Sequence, residues 1–497
     1  MQDATRGQRC LARLCELTDR QLLIDVWPVL LRIARLVWAF RRQPRSPQNL
    51  FRFETQLARL LWELGRRIVQ WTLNQLEPPR EEMPASLVWQ GDAYRCKRLS
   101  PMRNLNCLFG KIRVHRWLYV STEDLGLPAL FPLELTLGLV QRVATPALAD
   151  RVAQLAVDMT QRQVLLVLRE QHQIHWGVKT LRKVVRATAE DMAPHRHAAQ
   201  VALLLAWLKE AASQCGPRRI TLAVGRDGLM MHLVGEKNYK EGATATVSVY
   251  SRLGKRLGTL YLGHMPEAGQ KTLSDELTRL LQDVFGQWDG PALRLVFITD
   301  AGSHPTAYFH QVLSRMPDPW RPGRYLQWEW VVDYYHACKY LSELGEVIFG
   351  PGRAAHAWAA KMRRWLKEKP GGVFRVLRSA GALRARRGLV GEESDYESAY
   401  GFLRRHAKWM DYSGCRRRKV PIGSGVTEAA CKIVFTQRFK CAGRKWGLEG
   451  GSWILTLRVI ALSKIWPAVR DAMLAADVKN LQRTPALFYA NHAAIPT

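Results

Sequence analysis

Acidic residues are scarce in this sequence. Its 43 Asp and Glu face 74 Lys and Arg, which leaves a formal net charge of +31 at pH 7 and a pI near 10.2. Such an excess costs self-repulsion in the compact state, and a polyanion offsets it by exchanging condensed counterions for Lys and Arg contacts. The balance favours a nucleic-acid partner over an anionic membrane surface or a basic chain that merely stays soluble. Long apolar runs are missing too. The most apolar N-terminal stretch, residues 22–40, is interrupted by Asp25, Pro28, Arg32 and Arg35, so a secretory signal or membrane span is not expected and a soluble intracellular protein is. The nine cysteines form no Cys-x-x-Cys pair and their number is odd, which argues against a disulfide framework and against a zinc ribbon. What is present is ordinary globular material. The 47% apolar content and 18 tryptophans argue against extended disorder, and 497 residues exceed the size of one core.

Along the chain, Phe53, Leu57, Leu60, Leu61, Leu64, Ile68 and Trp71 repeat at three- and four-residue steps. This predicts a helix with one face buried in an N-terminal helical domain over residues 1–77, or along a dimer seam. Pro78 and Pro79 mark a linker. Alternation through residues 112–120 predicts a β element in a small domain spanning 86–135, where Cys96 and Cys107 are expected as free thiols. Residues 145–200 then read as helices at 147–158, 161–171 and 178–190, the order of a helix-turn-helix. On the last helix Val178, Leu181, Val184 and Val185 form an apolar stripe, while Lys179, Arg182, Lys183 and Arg186 share another face. Alone, that face reads as solvated; with the global charge it reads as a phosphate-binding surface.

From residue 215 the period changes. Ile220, Leu222 and Val224 alternate before Asp227-Gly228, and residues 229–234 and 243–250 read as further strands. A helix at 273–285, a strand at 293–298 leading to Asp300, and a strand at 328–332 leading to Asp333 follow. This β-β-β-α-β-α-β order over 215–336 is that of an RNase H-like fold. Residues 337–419 turn helical and basic, ending in Arg416, Arg417, Arg418 and Lys419, and read as an insertion before a closing segment at 420–475 and a tail at 476–497. The expected fold is therefore an α/β catalytic core of RNase H-like type with an all-helical insertion, preceded by mainly helical N-terminal DNA-binding domains.

An enzyme that moves phosphodiester bonds with two divalent cations needs carboxylates converging from separate elements, because the ions must lie about 3.5–4 Å apart to clamp attacking and leaving oxygens. Asp227 and Asp300 leave strands of the core. Glu428 follows a glycine-rich entry, Pro421-Ile422-Gly423-Ser424-Gly425-Val426-Thr427-Glu428, and opens an apolar helical run. Taken singly, each has a bland reading: a hairpin Asp-Gly, a strand exit, and an acid favoured by a helix N-terminus. Asp333 and His336 lie three apart at a helix start, either in a supporting role that binds flipped or unpaired DNA near the cut or as a capping aspartate with a satisfied histidine. Arg438, Lys440, Arg444 and Lys445 surround Glu428 in sequence with phosphate-binding charge. Beside them, Trp446 is either a base-stacking residue or part of the core.

The segment from Pro421 through Lys432, continued by Gln437-Arg438-Phe439-Lys440-Cys441-Ala442-Gly443-Arg444-Lys445-Trp446 and Ile454-Leu455-Thr456-Leu457-Arg458, resembles the C-terminal signature of bacterial insertion-sequence transposases of the ISKra group. Thr299-Asp300-Ala301-Gly302 and Asp333-Tyr334-Tyr335-His336 resemble, respectively, that family's second acidic block and the Asp-x-x-His motif of the related Mutator-type transposases. The resemblance covers roughly residues 90–465. It implies an Asp227, Asp300 and Glu428 triad, a helical insertion before the glutamate, and transposition with two Mg²⁺ (or Mn²⁺) ions. It further implies transposon-end and target DNA as partners of a homodimer in the bacterial cytoplasm, at the nucleoid. Zinc-ribbon cysteines common in relatives are missing from residues 93–125. The alternatives within reach are a structure-specific nuclease and a domesticated DNA-binding protein without catalysis.

Overall fold

The computed structural model describes residues 20–482 apart from 78, 125, 388–393 and 442. The expected N-terminal domain and C-terminal tail therefore lie partly outside the described residues. The chain is mixed α/β, with a three-stranded and a five-stranded sheet, and divides into two compact units, Met1–Met192 with Arg470–Thr497 and Ala193–Val469.

The first unit begins with α1 (Arg20–Arg42) and α2 (Pro47–Gln75). Ser46 caps α2 by accepting the Asn49 amide, and Pro47 occupies the first turn, where its missing N–H goes unneeded. Arg67 donates to the Asp25 carbonyl at 2.7 Å, and Phe40 stacks on Phe53 at 4.4 Å. The apolar stripe expected to be buried is only half covered: no α2 residue is fully buried, and Leu61 and Ile68 stay 50% and 40% exposed. One partner helix on one side and the edge of a small sheet on another shield only part of such a stripe.

Strands β1 (Ser86–Trp89), β2 (Asp92–Cys107) and β3 (Gly110–Ser121) form an antiparallel sheet in that order, realising the β element expected there. The outer edge of β3 is closed by the helix that precedes the sheet. Gln70, Asn74 and Glu77 accept the amides of Arg113, His115 and Trp117 at 2.9, 2.8 and 3.1 Å. A helical pitch of about 5.4 Å comes close to the about 6.8 Å per two strand residues, so one flank of the helix and its first residues beyond can satisfy alternate amides of an edge. Cys96 and Cys107 are buried free thiols.

The short α3 (Pro132–Thr136) leads to α4 (Pro146–Asp158) and α5 (Gln161–His172), the latter opened by a Thr160/Gln163 capping box. The third helix of this set, α6, does not end near residue 190. It runs Val178–Ser213, because Val201, Leu204, Leu208 and Ala211 continue its buried apolar period, and the division between the two units falls within it.

In the second unit β4 (Thr221–Met231), β5 (Lys240–Tyr250) and β6 (Arg256–His264) form an antiparallel meander. After α7 (Lys271–Gln287), β7 (Arg294–Thr299), α8 (Ser303–Gln311) and β8 (Trp328–Val332) extend the sheet, whose order is β6-β5-β4-β7-β8, with β4, β7 and β8 parallel. The sequence placed strand breaks differently. Asp227-Gly228 is no turn but the middle of β4, paired through Met231 with Lys240, and the third strand is β6, which alternation did not reveal.

One face of the sheet presents Leu295 and Phe297 to α7, which contributes Leu273, Leu277, Leu280 and Val284. The other presents Val296 and Ile298 to a helical stretch. That stretch is α9 (Tyr334–Phe349), α10 (Arg353–Glu368), α11 (Gly372–Arg386), α12 (Ser394–Arg405) and α13 (Tyr412–Arg417). Then α14 (Gly425–Ala430) passes through a π turn (Cys431–Thr436) into α15 (Gln437–Phe439). The chain continues through α16 (Leu448–Leu462) and α17 (Trp466–Gln482). Among the described residues no single helix is long and apolar enough to cross a membrane.

Candidate active site

The parallel ladder between β4 and β7 ends at Gly225 paired with Ile298. Asp227 and Asp300 each lie two residues beyond that pair, so register alone brings both to one edge of the sheet. Each carboxylate is held by a nearby amide: Gly228 donates to Asp227 at 2.7 Å and Gly302 to Asp300 at 2.9 Å.

Glu428 arrives on α14, which lies directly on β4 and β5. A Cβ at Gly225 would stand 1.9 Å from the Thr427 hydroxyl, so only glycine lets the helix sit this close. Thr427 bonds Thr246 of β5 at 2.8 Å. With its neighbour anchored, Glu428 is exposed at the same sheet edge.

The three carboxylates share an electric field. Burial pushes the Asp227 carboxyl up to about 6, the Cys431 thiol and the Gly228 amide oppose that rise, and the charges of Asp300 and Glu428 add to it. Cys431, buried at the start of the π turn, donates its thiol to Asp227, and its own proton is held more tightly through burial and that carboxylate. Among the described residues no three His, Cys, Asp or Glu side chains are gathered tightly enough to hold one ion. Mg²⁺ bound through one or two carboxylates, with water and phosphate oxygens completing its shell, does not require such a cluster. A carboxylate raised first by burial and further by two anionic neighbours fits a cation, which would relieve the repulsion among them.

Asp333 has another task. It is 3% exposed and accepts the Tyr335 and His336 amides as the N-cap of α9, while its second oxygen accepts the Ser424 amide at 2.7 Å and the Ser424 hydroxyl. It ties the start of α9 to the entry of α14. Of the two roles open to it in the sequence, the geometry matches the capping one. His336 packs edge-on against Tyr340 and Phe402.

The basic residues divide sharply. Lys179, Arg182, Lys183 and Arg186 are all exposed on α6 while Leu181, Val184 and Val185 are buried, although Arg186 pairs with Glu190 at 2.8 Å. Arg416, Arg417 and Lys419 are exposed and, with Lys367, line a groove of about 550 Å³. Arg418 is not free for phosphate, because Glu329 binds it at 2.9 Å.

Lys440 and Lys445 are exposed, and Arg444 donates to the Arg438 carbonyl at 3.2 Å. The expectation for Arg438 needs correction, and of the two alternatives for Trp446 the packing one is favoured. Arg438 is 3% exposed, its guanidinium 4.7 Å from the centre of the Trp446 ring, so its charge does not face solvent. Trp446 also packs against Phe439 at 4.6 Å and its carbonyl accepts the Val234 amide, so it anchors the fold and its ring is already engaged.

Thr246, Thr427, Ser424 and Cys431 escaped the sequence reading, since each matters through a partner distant in the chain. Only the glycine-rich entry to Glu428 hinted at a close approach. No protein-family model matches the chain, and no curated protein matches it.

Proposed function

We propose that the chain is a DNA transposase of the Asp-Asp-Glu type, built on an RNase H-like core. The observation that carries this reading is the register that brings Asp227 and Asp300 two residues beyond the last pair of neighbouring parallel strands, with the helix of Glu428 packed on β4 and β5 beside them. The strand order β6-β5-β4-β7-β8, with a three-strand meander followed by two parallel strands, supports the fold assignment, and the helical stretch between β8 and Glu428 supports an insertion.

Mg²⁺ bound at these carboxylates would supply an activated water and neutralise charge developing on the phosphate. Asp227, Asp300 and Glu428 are the residues that would hold the ions. Asp300 holds one oxygen fixed by the Gly302 amide and leaves the other for a ligand. Glu428, exposed on a helix pinned through Thr427, faces the DNA side. The exposed cations of α6 and of the Arg416 groove hold phosphates, so binding and chemistry rest on separate groups.

The test uses DNA flanking the chain's own coding region as the source of element ends, with Mg²⁺ and a target plasmid. Strand cleavage leaving 3′ hydroxyls, followed by joining to the target, is expected, and Asp227→Ala, Asp300→Ala or Glu428→Ala should each abolish both steps. Hydrolysis without joining would point to a nuclease, and metal-independent binding without cleavage to a non-enzymatic protein.

A further inference from the structure

The helix that carries Glu428 is not a plain α-helix. Immediately after α14 it widens into the π turn, where the Gln437 amide reaches back five residues to the Lys432 carbonyl. Turns of this kind are rare and cluster at functional sites. A widened turn splays its carbonyls, and here a side chain from another helix meets them. Arg458 of α16, 3% exposed, donates through Nε to the carbonyls of Ile433 at 2.8 Å and Val434 at 3.0 Å, and through Nη2 again to Ile433. A guanidinium is suited to this because its donors are fixed in one plane and can span two carbonyls at once.

Both ends of the turn are committed. On the C-terminal side Phe435 fills the space left by Gly242, and Val434 that left by Gly263. On the N-terminal side Cys431 bonds Asp227, and Thr427 bonds Thr246. If the turn relaxed to an ordinary α-helix, one residue would be lost from the register and the two ends would rotate against each other by about 100°. With Val434 and Phe435 held in their hollows, the movement would fall on Cys431 and Glu428.

We infer that Arg458 is a positioning residue which locks the π turn and so sets Glu428 and the Cys431–Asp227 contact in the geometry that binds a divalent cation. This rests on the carboxylate site proposed above, and it explains why an arginine is buried against main-chain carbonyls. It acts through the main-chain carbonyls of Ile433 and Val434.

The experiment titrates the purified chain with Mn²⁺ alone, following bound metal by electron paramagnetic resonance and melting temperature in parallel. Arg458→Lys keeps the charge but cannot span both carbonyls in one plane. Half-saturating Mn²⁺ is expected to rise about tenfold or more, even where the variant is fully folded in chelator. Cys431→Ala leaves the guanidinium in place and removes only the contact at Asp227, and should raise half-saturation as well; if Arg458→Lys does not fold, Arg458→Gln, which keeps a planar donor but cannot span both carbonyls, decides the matter. Variants that bind Mn²⁺ like the wild type, with only a lowered melting temperature, would overturn the inference. Asp227→Asn is the control for the parent reading: if it too binds Mn²⁺ like the wild type, the carboxylate site itself is wrong and the role of Arg458 falls with it.

Discussion

Glu77 illustrates how a single residue can be placed for geometry at the expense of its charge. One carboxylate oxygen closes the β3 edge by accepting the Trp117 amide, while the other is buried without a hydrogen-bond partner. Burial pushes its carboxyl from 4.5 up to about 7, with the Trp117 amide and Arg116 opposing the rise. A raised carboxyl makes the folded state bind a proton that the unfolded state releases, so stability grows as pH falls from about 7 towards 4.5. Above pH 7 the buried charge is a standing cost. Glu77→Gln keeps an acceptor for the Trp117 amide and removes that cost, so it should melt higher than wild type at pH 8 and no higher at pH 5. Allowing for solvent screening, the gain is on the order of 1 kcal/mol, or about 2–4 °C. Thermal melts at the two pH values check it, and a variant less stable at pH 8 would mean that the charge is stabilising where it sits.

At the scale of elements, the site depends on how closely α14 can approach β4. Gly225→Ala would place a methyl group 1.9 Å from the Thr427 hydroxyl and 3.1 Å from that of Thr246. Overpacking of this sort costs about 1–3 kcal/mol and lifts the helix off the sheet, and small misplacements of reacting groups are costly in rate, so cleavage should fall by about 100-fold. Adding Thr427→Ala removes the clashing oxygen and should restore most of the stability; equal melting temperatures for the single and double variants would exclude the clash as the cause.

On α6, replacing exposed Lys179, Arg182 and Lys183 by alanine should flatten the salt dependence of DNA binding by up to about 0.9 per lost phosphate contact. Arg186, paired with Glu190, should contribute less. An unchanged slope would make this a solvated face.

The elements differ in how legible they were. Helices α4 and α5 and strands β7 and β8 could be placed within a residue or so, because their periodicity and bounding turns are local. The end of α6 and the course of β4 could not. Asp-Gly is a common hairpin signal, and only pairing with Thr244 and Ala243 keeps Asp227-Gly228 extended. Asp227, Asp300 and Glu428 could be picked out by residue type and position, but what fixes them could not. Thr246 and Thr427 are 181 positions apart, and a Thr–Thr bond at that distance leaves no trace in local pattern. The same blindness made Arg438 look like a DNA contact and left Trp446 open between base stacking and core, since a basic and aromatic stretch reads alike whether it faces phosphate or packs on itself.

For the whole molecule, the net charge of +31 and the few carboxylates at the sheet edge make opposite demands on DNA. The cations draw the backbone in, while three unneutralised acids in one place repel the phosphate that must be cut. Without divalent cations the site should therefore oppose binding locally even as the chain favours it globally. The combined variant Asp227→Asn, Asp300→Asn and Glu428→Gln removes three negative charges and adds no phosphate-binding group. In chelator it should bind duplex DNA at least as tightly as wild type, with an unchanged slope of log affinity against log salt, because that slope counts cation–phosphate contacts. With Mg²⁺ present, the wild type should gain affinity relative to its own metal-free state and the variant should not, since only the wild type has ligands for the ion. Filter binding or fluorescence anisotropy over a salt series reads both effects. Weaker metal-free binding by a variant that melts like wild type would show that the acids help to hold DNA directly, and the separation of grip from chemistry would have to be abandoned.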